Sequence, residues 1–179
     1  MVKRMEIFEW IIFIVIIACI IIMAFISVYN RFQINVIRIN EAEANIDSTL
    51  RKKFDLLNKS INIIKNETKE KNVLDKIKKL RSMKLNNFEF DRELTEAKNE
   101  FDSYVNKYPD LKTNELFVNI NYGLAETESE IEAFKKYYND TITDFNKMVK
   151  TFPSNIVGLL SGYKKRPYFD KKEDNNIQI

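Results

Sequence analysis

The residues in this sequence best placed to do chemistry are four carboxylates at alternate positions, Glu126, Glu128, Glu130 and Glu132. Clustered carboxylates can hold a hard cation or share a proton. On a helix, however, residues two apart point to different faces, so the four do not converge, and Glu128 and Glu132, at i,i+4, share a side. The spacing predicts a solvated acidic face, not a metal site. The chain has no His, which removes the usual general base, the commonest metal ligand and any ordinary Ser-His triad. There is no Gly-rich loop to cradle a phosphate. The one thiol, Cys19, lies inside an apolar run and reads as a small apolar residue. No catalytic residue, cofactor or metal ligand is expected, and the chain reads as a non-enzymatic protein.

The other charged feature is a sorted pattern. Between Arg51 and Lys84 there are twelve Lys/Arg against four Asp/Glu, and between Glu89 and Glu132 four against twelve. A basic arm attracts phosphate in nucleic acid or in anionic lipid. Phe54 is the arm's single aromatic residue, so no base-stacking platform is present and no nucleic-acid partner is expected. The pattern is read as helix surface, with the basic arm pairing antiparallel with the acidic one. Each exposed pair adds only about 0–1 kcal/mol, so apolar burial should dominate stability while the charges help set register.

The elements that position these residues follow from periodicity. The 179 residues contain only three Gly and three Pro, which leaves few turning points and predicts an all-α protein of long helices. Trp10 to Val28 carries no charge and is long enough to cross a hydrocarbon core of about 30 Å. A signal peptide would have a shorter apolar core and a small-residue cleavage site, which Ser27-Val28-Tyr29-Asn30-Arg31 does not offer. A type IV pilin start, suggested by Glu9, is disfavoured because no Gly-Phe processing site precedes it. Residues 1–29 are therefore assigned as a single-pass anchor in a cell membrane, with Trp10 and Tyr29 at its interfaces. Lys3 and Arg4 on one side balance Arg31 and Arg38 on the other; Arg51-Lys52-Lys53 tips the expectation to a cytoplasmic main domain.

Beyond Asn30 an apolar stripe runs through Val36, Ile39, Ile46, Leu50, Phe54, Leu57, Ile61 and Ile64, broken at Glu43. The stretch Lys65 to Asn72 is polar, Leu74, Ile77 and Leu80 resume the period, and a turn is placed at Asn86-Asn87. A second stripe, Phe90, Leu94, Ala97, Phe101, Tyr104 and Tyr108, ends at Pro109. After a tight connection, Thr113 or Asn114 can cap a long third helix. Its stripe is Leu116, Ile120, Leu124, Thr127, Ile131, Phe134, Tyr138, Phe145, Val149 and Phe152, with Gly123 permitting close approach of a neighbour, and Pro153 stops it. Ser154 to Phe169 is either a short fourth helix closing the bundle or an interfacial segment lying on lipid.

Three clusters occur in order: Tyr108-Pro109-Asp110-Leu111-Lys112 with Asn114 and Phe117; Leu124-Ala125-Glu126-Thr127-Glu128 with Ile131; and Phe152-Pro153-Ser154-Asn155. With Tyr138-Asn139-Asp140, the ending Tyr163-Lys164-Lys165-Arg166 to Phe169, and an N-terminal anchor followed by Tyr29-Asn30, they resemble the LemA family over nearly the whole chain. The resemblance implies a bacterial single-pass membrane protein with an antiparallel bundle of long helices and no established enzymatic activity. Members commonly carry Trp near Glu43 and Pro near Asn58, so the departures here fall in the first helix. Among the matched residues Pro109, Asp110, Asn114, Pro153, Ser154 and Asn155 are what helix ends require, so the expected role of the matched set is structural.

The fold expected is thus an N-terminal transmembrane helix (1–29), an antiparallel bundle of three long helices with a short C-terminal fourth helix (30–170), and a disordered tail (171–179). The expected partners are membrane lipid through the span and unidentified proteins at the cell envelope, with a homo-oligomer open. Scaffolding is the leading functional expectation, and anionic-lipid binding through the C-terminal segment is the alternative.

Overall fold

A computed structural model describes residues 2–69, 74–80 and 85–169, with side chains from residue 7 onward; the expected tail at 171–179 lies outside the described residues. All regular structure among the described residues is helical: α1 (Val2–Thr68), α2 (Asp75–Leu80), α3 (Asn87–Lys107), a 3-10 turn at Pro109–Thr113, α4 (Glu115–Lys150) and α5 (Ser154–Leu160). The 67 residues of α1 include no Gly or Pro, so no residue interrupts its hydrogen-bond ladder. Its first part is long and apolar enough to cross a membrane, and none of that window is buried inside the protein.

The chain falls into two compact units. Unit 1 comprises residues 1–39 and 140–167, and unit 2 comprises residues 40–139 and 168–179. In unit 2 the stripe of α1 faces inward: Ile46, Leu50, Leu57 and Ile64 are fully buried. The apparent break at Glu43 is resolved by its neighbour. Ala42 takes the inward position and Glu43 is exposed, so steps of four continue from Ala42 to Ile46 to Leu50. Phe101 of α3 stacks on Phe117 of α4, with ring centroids 5.1 Å apart, and Phe117 is buried while Leu116 is exposed. The inward stripe of α4 therefore begins one residue later than the periodicity suggested. Gly123 admits Leu56, whose Cδ1 would lie 3.2 Å from a Cβ at that position.

The polar stretch after Ile64 is a true helix end. Lys69 has φ of 60° and its N–H closes the last turn on the Lys65 carbonyl at 3.0 Å. With no apolar face to bury there, tertiary packing gives the helix no reason to continue. Leu74 and Ile77, fully buried, and Leu80, nearly so, then fix the short α2, and the Leu74 N–H donates to Glu100 Oε1 of α3 at 3.0 Å. The expected turn at Asn86-Asn87 is a helix start. Asn86 Oδ1 accepts from the Glu89 N–H at 2.9 Å and Glu89 Oε2 accepts from the Asn86 N–H at 3.3 Å, a reciprocal capping box.

In unit 1, Phe32 is fully buried, stacked on Tyr163 at 4.7 Å and edge-on to Phe145 at 5.7 Å. Gln33 Nε2 donates to the Tyr163 hydroxyl at 2.7 Å. Burial, chiefly, and then the nearby Tyr29 push the Tyr163 phenol above its ordinary range. Asn146 holds the chain after α5 in both directions, donating to the Arg166 carbonyl and accepting from the Arg166 N–H, each at 2.9 Å.

Candidate functional site

The four carboxylates of α4 face lysines. In unit 2, Glu126 and Glu130 lie 3.4 and 3.5 Å from the Lys52 ammonium, and Glu128 lies 3.2 Å from that of Lys53, whose side chain is buried. Glu132 reaches Lys135 at 3.5 Å. Glu126 and Glu130 share the one ammonium of Lys52, and no group of three or more His, Cys, Asp or Glu converges among the described residues. The sorted charges do pair antiparallel: Lys52 and Lys53 of the basic arm meet α4, and Lys76 meets Glu96 of α3.

The residues of the first cluster build the α3–α4 connection. Tyr108 ends α3, its N–H bonded to the Tyr104 carbonyl at 2.9 Å, and Pro109 opens the 3-10 turn where its missing N–H is harmless. The Asp110 carbonyl accepts from the Thr113 hydroxyl at 2.7 Å, and Leu111 is fully buried beneath the turn. Asn114 caps α4, its Oδ1 accepting from the Phe117 N–H at 3.2 Å while its Nδ2 donates to Glu67 of α1 at 3.1 Å. Between the two candidate caps, Asn114 is the one used. Tyr138 is buried edge-on to Phe169, and Asn139 Oδ1 accepts the Phe169 N–H at 2.9 Å, so this pair holds the end of the described chain.

The last cluster shapes unit 1. Phe152 is 79% exposed and so does not extend the inward stripe of α4 as the periodicity suggested. The Phe152–Pro153 bond is cis. Ser154 Oγ lies 2.8 Å from both the Met148 and Thr151 carbonyls, donating to one at a time, and the Thr151 hydroxyl donates to the Lys147 carbonyl at 2.9 Å. These hydroxyls satisfy the last acceptors of α4. The Asn155 N–H bonds the Thr151 carbonyl at 2.8 Å, and its Oδ1 is buried with no hydrogen-bond partner among the described residues. Of the two expectations for Ser154 to Phe169, the short fourth helix is present as α5: Val157 and Gly158 pack inward, Gly158 against Phe32, while Ile156, Leu159 and Leu160 are exposed.

Sequence reasoning missed two features. One is a buried ion pair in unit 2, Asp91 Oδ2 to Lys135 Nζ at 2.6 Å, with both side chains nearly nine-tenths buried. The other is an open groove of about 600 Å³ in unit 1, beside Arg31, Asn35 and Arg38 of α1 and Asp144, Lys147 and Met148 of α4. The available signal for it was the seven-residue spacing of Arg31 and Arg38, which puts both on one helix side. From residue 28 onward, unit 1 carries seven Lys/Arg against two Asp. The crowding is visible in Lys165, which the adjacent Lys150 ammonium holds below the ordinary lysine range.

A sequence model of the LemA family matches residues 42–179. The chain is also similar to "Protein LemA" of Metamycoplasma hominis, 34% identical over 96 residues, a match covering 49% of this chain and 43% of that protein. The chain thus spans less than half the length of that curated relative. The family match takes in most of α1 beyond the apolar run, all of α2 to α5 and every cluster described above, and on that basis the chain belongs to the LemA family.

Proposed function

We propose that this protein is a membrane-anchored, non-enzymatic helical scaffold, a protein-interaction module at the bacterial cell envelope. The observation that carries the membrane part is the apolar stretch of α1, none of whose hydropathic window is buried inside the protein. A helix apolar on all sides with no protein cover needs lipid around it, and burying it in a bilayer removes its whole surface from water. The scaffold part is supported by what the α4 carboxylates do: they pair with lysines, which leaves the exposed surfaces of α3 and α4 for recognition of a partner. The excess of Lys/Arg around the exit of α1 supports a cytoplasmic main body.

Two measurements test this. Full-length protein should stay with membranes through alkaline carbonate and leave only in detergent; release by carbonate refutes the anchor. In-cell crosslinking through α3 and α4 surfaces should capture defined partners that vanish when those surfaces are recharged; unchanged capture refutes the scaffold.

A second reading is favoured by Phe152, Ile156, Leu159 and Leu160, which are 79%, 50%, 81% and 70% exposed within nine residues of unit 1. So many large apolar groups close together suit a segment lying in the lipid interface. With Cys19 replaced by Ser, an environment-sensitive dye at Leu160→Cys should blue-shift in vesicles of the full chain. A dye that reports water there rules the contact out.

A further inference from the structure

We propose that the groove of unit 1 binds the headgroup of an anionic phospholipid from the bilayer that holds α1. The inference rests on the membrane reading above and adds a defined site and ligand to it. Arg31, Arg38 and Lys147 line the groove against one carboxylate, Asp144, and none of the four forms an ion pair among the described residues. All four side chains are exposed, so their charges are available and not part of the unit's internal packing. Asn35, by contrast, is buried at 9% exposure, and its Nδ2 donates to the Met148 thioether at 3.2 Å, a weak acceptor that a phosphate oxygen would readily replace. Guanidinium groups suit this ligand because their planar donors match phosphate geometry and are weakly hydrated.

Depth along α1 identifies the source of the phosphate. Val28, the last residue of the uncharged run, lines the same groove. At 1.5 Å per residue Arg31 stands about 4.5 Å beyond it, within the headgroup layer of roughly 5–8 Å on each side of the hydrocarbon. Arg38 is two turns further on, and helical side chains lean toward the N-terminus, which for α1 is the membrane end. Ile34 and Phe152, exposed apolar residues of the same groove, offer contact for the upper part of an acyl chain. A groove with one guanidinium at phosphate depth, further cations beyond it and apolar residues alongside is complementary to an amphiphile with a negative head.

The test uses the full-length protein in detergent, titrated with phosphatidylglycerol, phosphatidylcholine or inorganic phosphate and read by native mass spectrometry. One phosphatidylglycerol per chain should bind in preference to phosphatidylcholine, and inorganic phosphate should not displace it. Replacing Arg31, Arg38 and Lys147 together by Gln should weaken that binding about a hundredfold, roughly fivefold for each cation removed. Asp144→Asn should strengthen it. Replacing exposed Lys59, Lys112 and Lys136 of unit 2 by Gln removes the same charge and should change binding by less than about twofold. Equal loss in the two triple variants, unchanged binding in the first, equal uptake of phosphatidylcholine, or displacement by inorganic phosphate overturns the proposal. Failure of the anchor reading shows separately, as wild-type protein released from membranes by carbonate, because the detergent titration does not depend on insertion.

Discussion

Replacing Asp91 by Ala should destabilise the protein by about 2–3 kcal/mol, because it removes the nearest counter-charge of a buried ammonium. Asp91 and Lys135 meet at 2.6 Å with side chains only 12% and 11% exposed. Breaking a buried pair by removing one partner typically costs about 3–5 kcal/mol, most of it the uncompensated charge. Here Lys135 keeps two poorer partners, Glu132 at 3.5 Å with a 75% exposed side chain, and the Phe169 ring at 5.2 Å. They place the loss at or just below the lower end of that range. For a chain of this size each kcal/mol shifts the midpoint by about 2–4 °C, so heat unfolding of the full chain in detergent, followed by circular dichroism, should start about 4–12 °C lower. Asp91→Leu combined with Lys135→Met should recover to within about 1 kcal/mol of the native protein, since two apolar residues of similar volume need no partner. A midpoint within about 2 °C of native for Asp91→Ala, or a double variant no better than the single one, would refute the reasoning and show that the pair is solvated in practice.

Phe32→Ala removes the ring packed against both Tyr163 and Phe145 and should cost about 3–5 kcal/mol in the same assay. Asn114→Ala should cost about 1 kcal/mol by opening the cap of α4, and Asn114→Ser, which keeps an acceptor for the Phe117 N–H and puts no charge beside Glu67, should recover most of it. Gly123→Ala should be within about 1 kcal/mol of native, since helix propensity gains about what the displacement of the flexible Leu56 side chain costs. Gly158→Leu should lower the midpoint by several degrees, because the atom it meets, Phe32 Cζ at 3.2 Å from the added Cβ, belongs to a fully buried ring. Equal effects at the two glycines would contradict the packing described.

Helices, caps and charge sorting were legible in the sequence because each is a local or periodic property. The uncharged run, the stop at Tyr108-Pro109 and the presence of a cap at Thr113 or Asn114 all depend on neighbours within a few residues, although only the structure selects Asn114. What was not legible depends on which of two adjacent residues turns inward. Leu116 and Phe117 are both apolar and one helical step apart, so periodicity alone does not choose, and contact with Phe101 decides for Phe117. Ala42 beside Glu43 is the same case with a small residue that carries little apolar signal. Asp91 and Lys135 read as surface charges until each is seen to bury the other. The groove depends on Arg31 and Lys147, more than a hundred residues apart, and on exposure that no pattern reports.

The pairing of α1 with α4 has a consequence for how the protein is made. Lys52 meets Glu126, 74 positions later in the chain, and Gln33 meets Tyr163, 130 positions later. At a synthesis rate of about 5–20 residues per second, the partner of each α1 residue emerges about 4–26 s later. During that interval α1 is fully made while Ile46, Leu50, Leu57 and Ile64 have nothing to bury them. The nascent chain therefore spends seconds as a tethered amphipathic helix, and the bilayer surface or a chaperone has to occupy its apolar side until α4 arrives. Pausing of the ribosome between residues 115 and 163 lengthens that exposure, which makes the speed of translation through α4 a determinant of how much correctly folded protein accumulates.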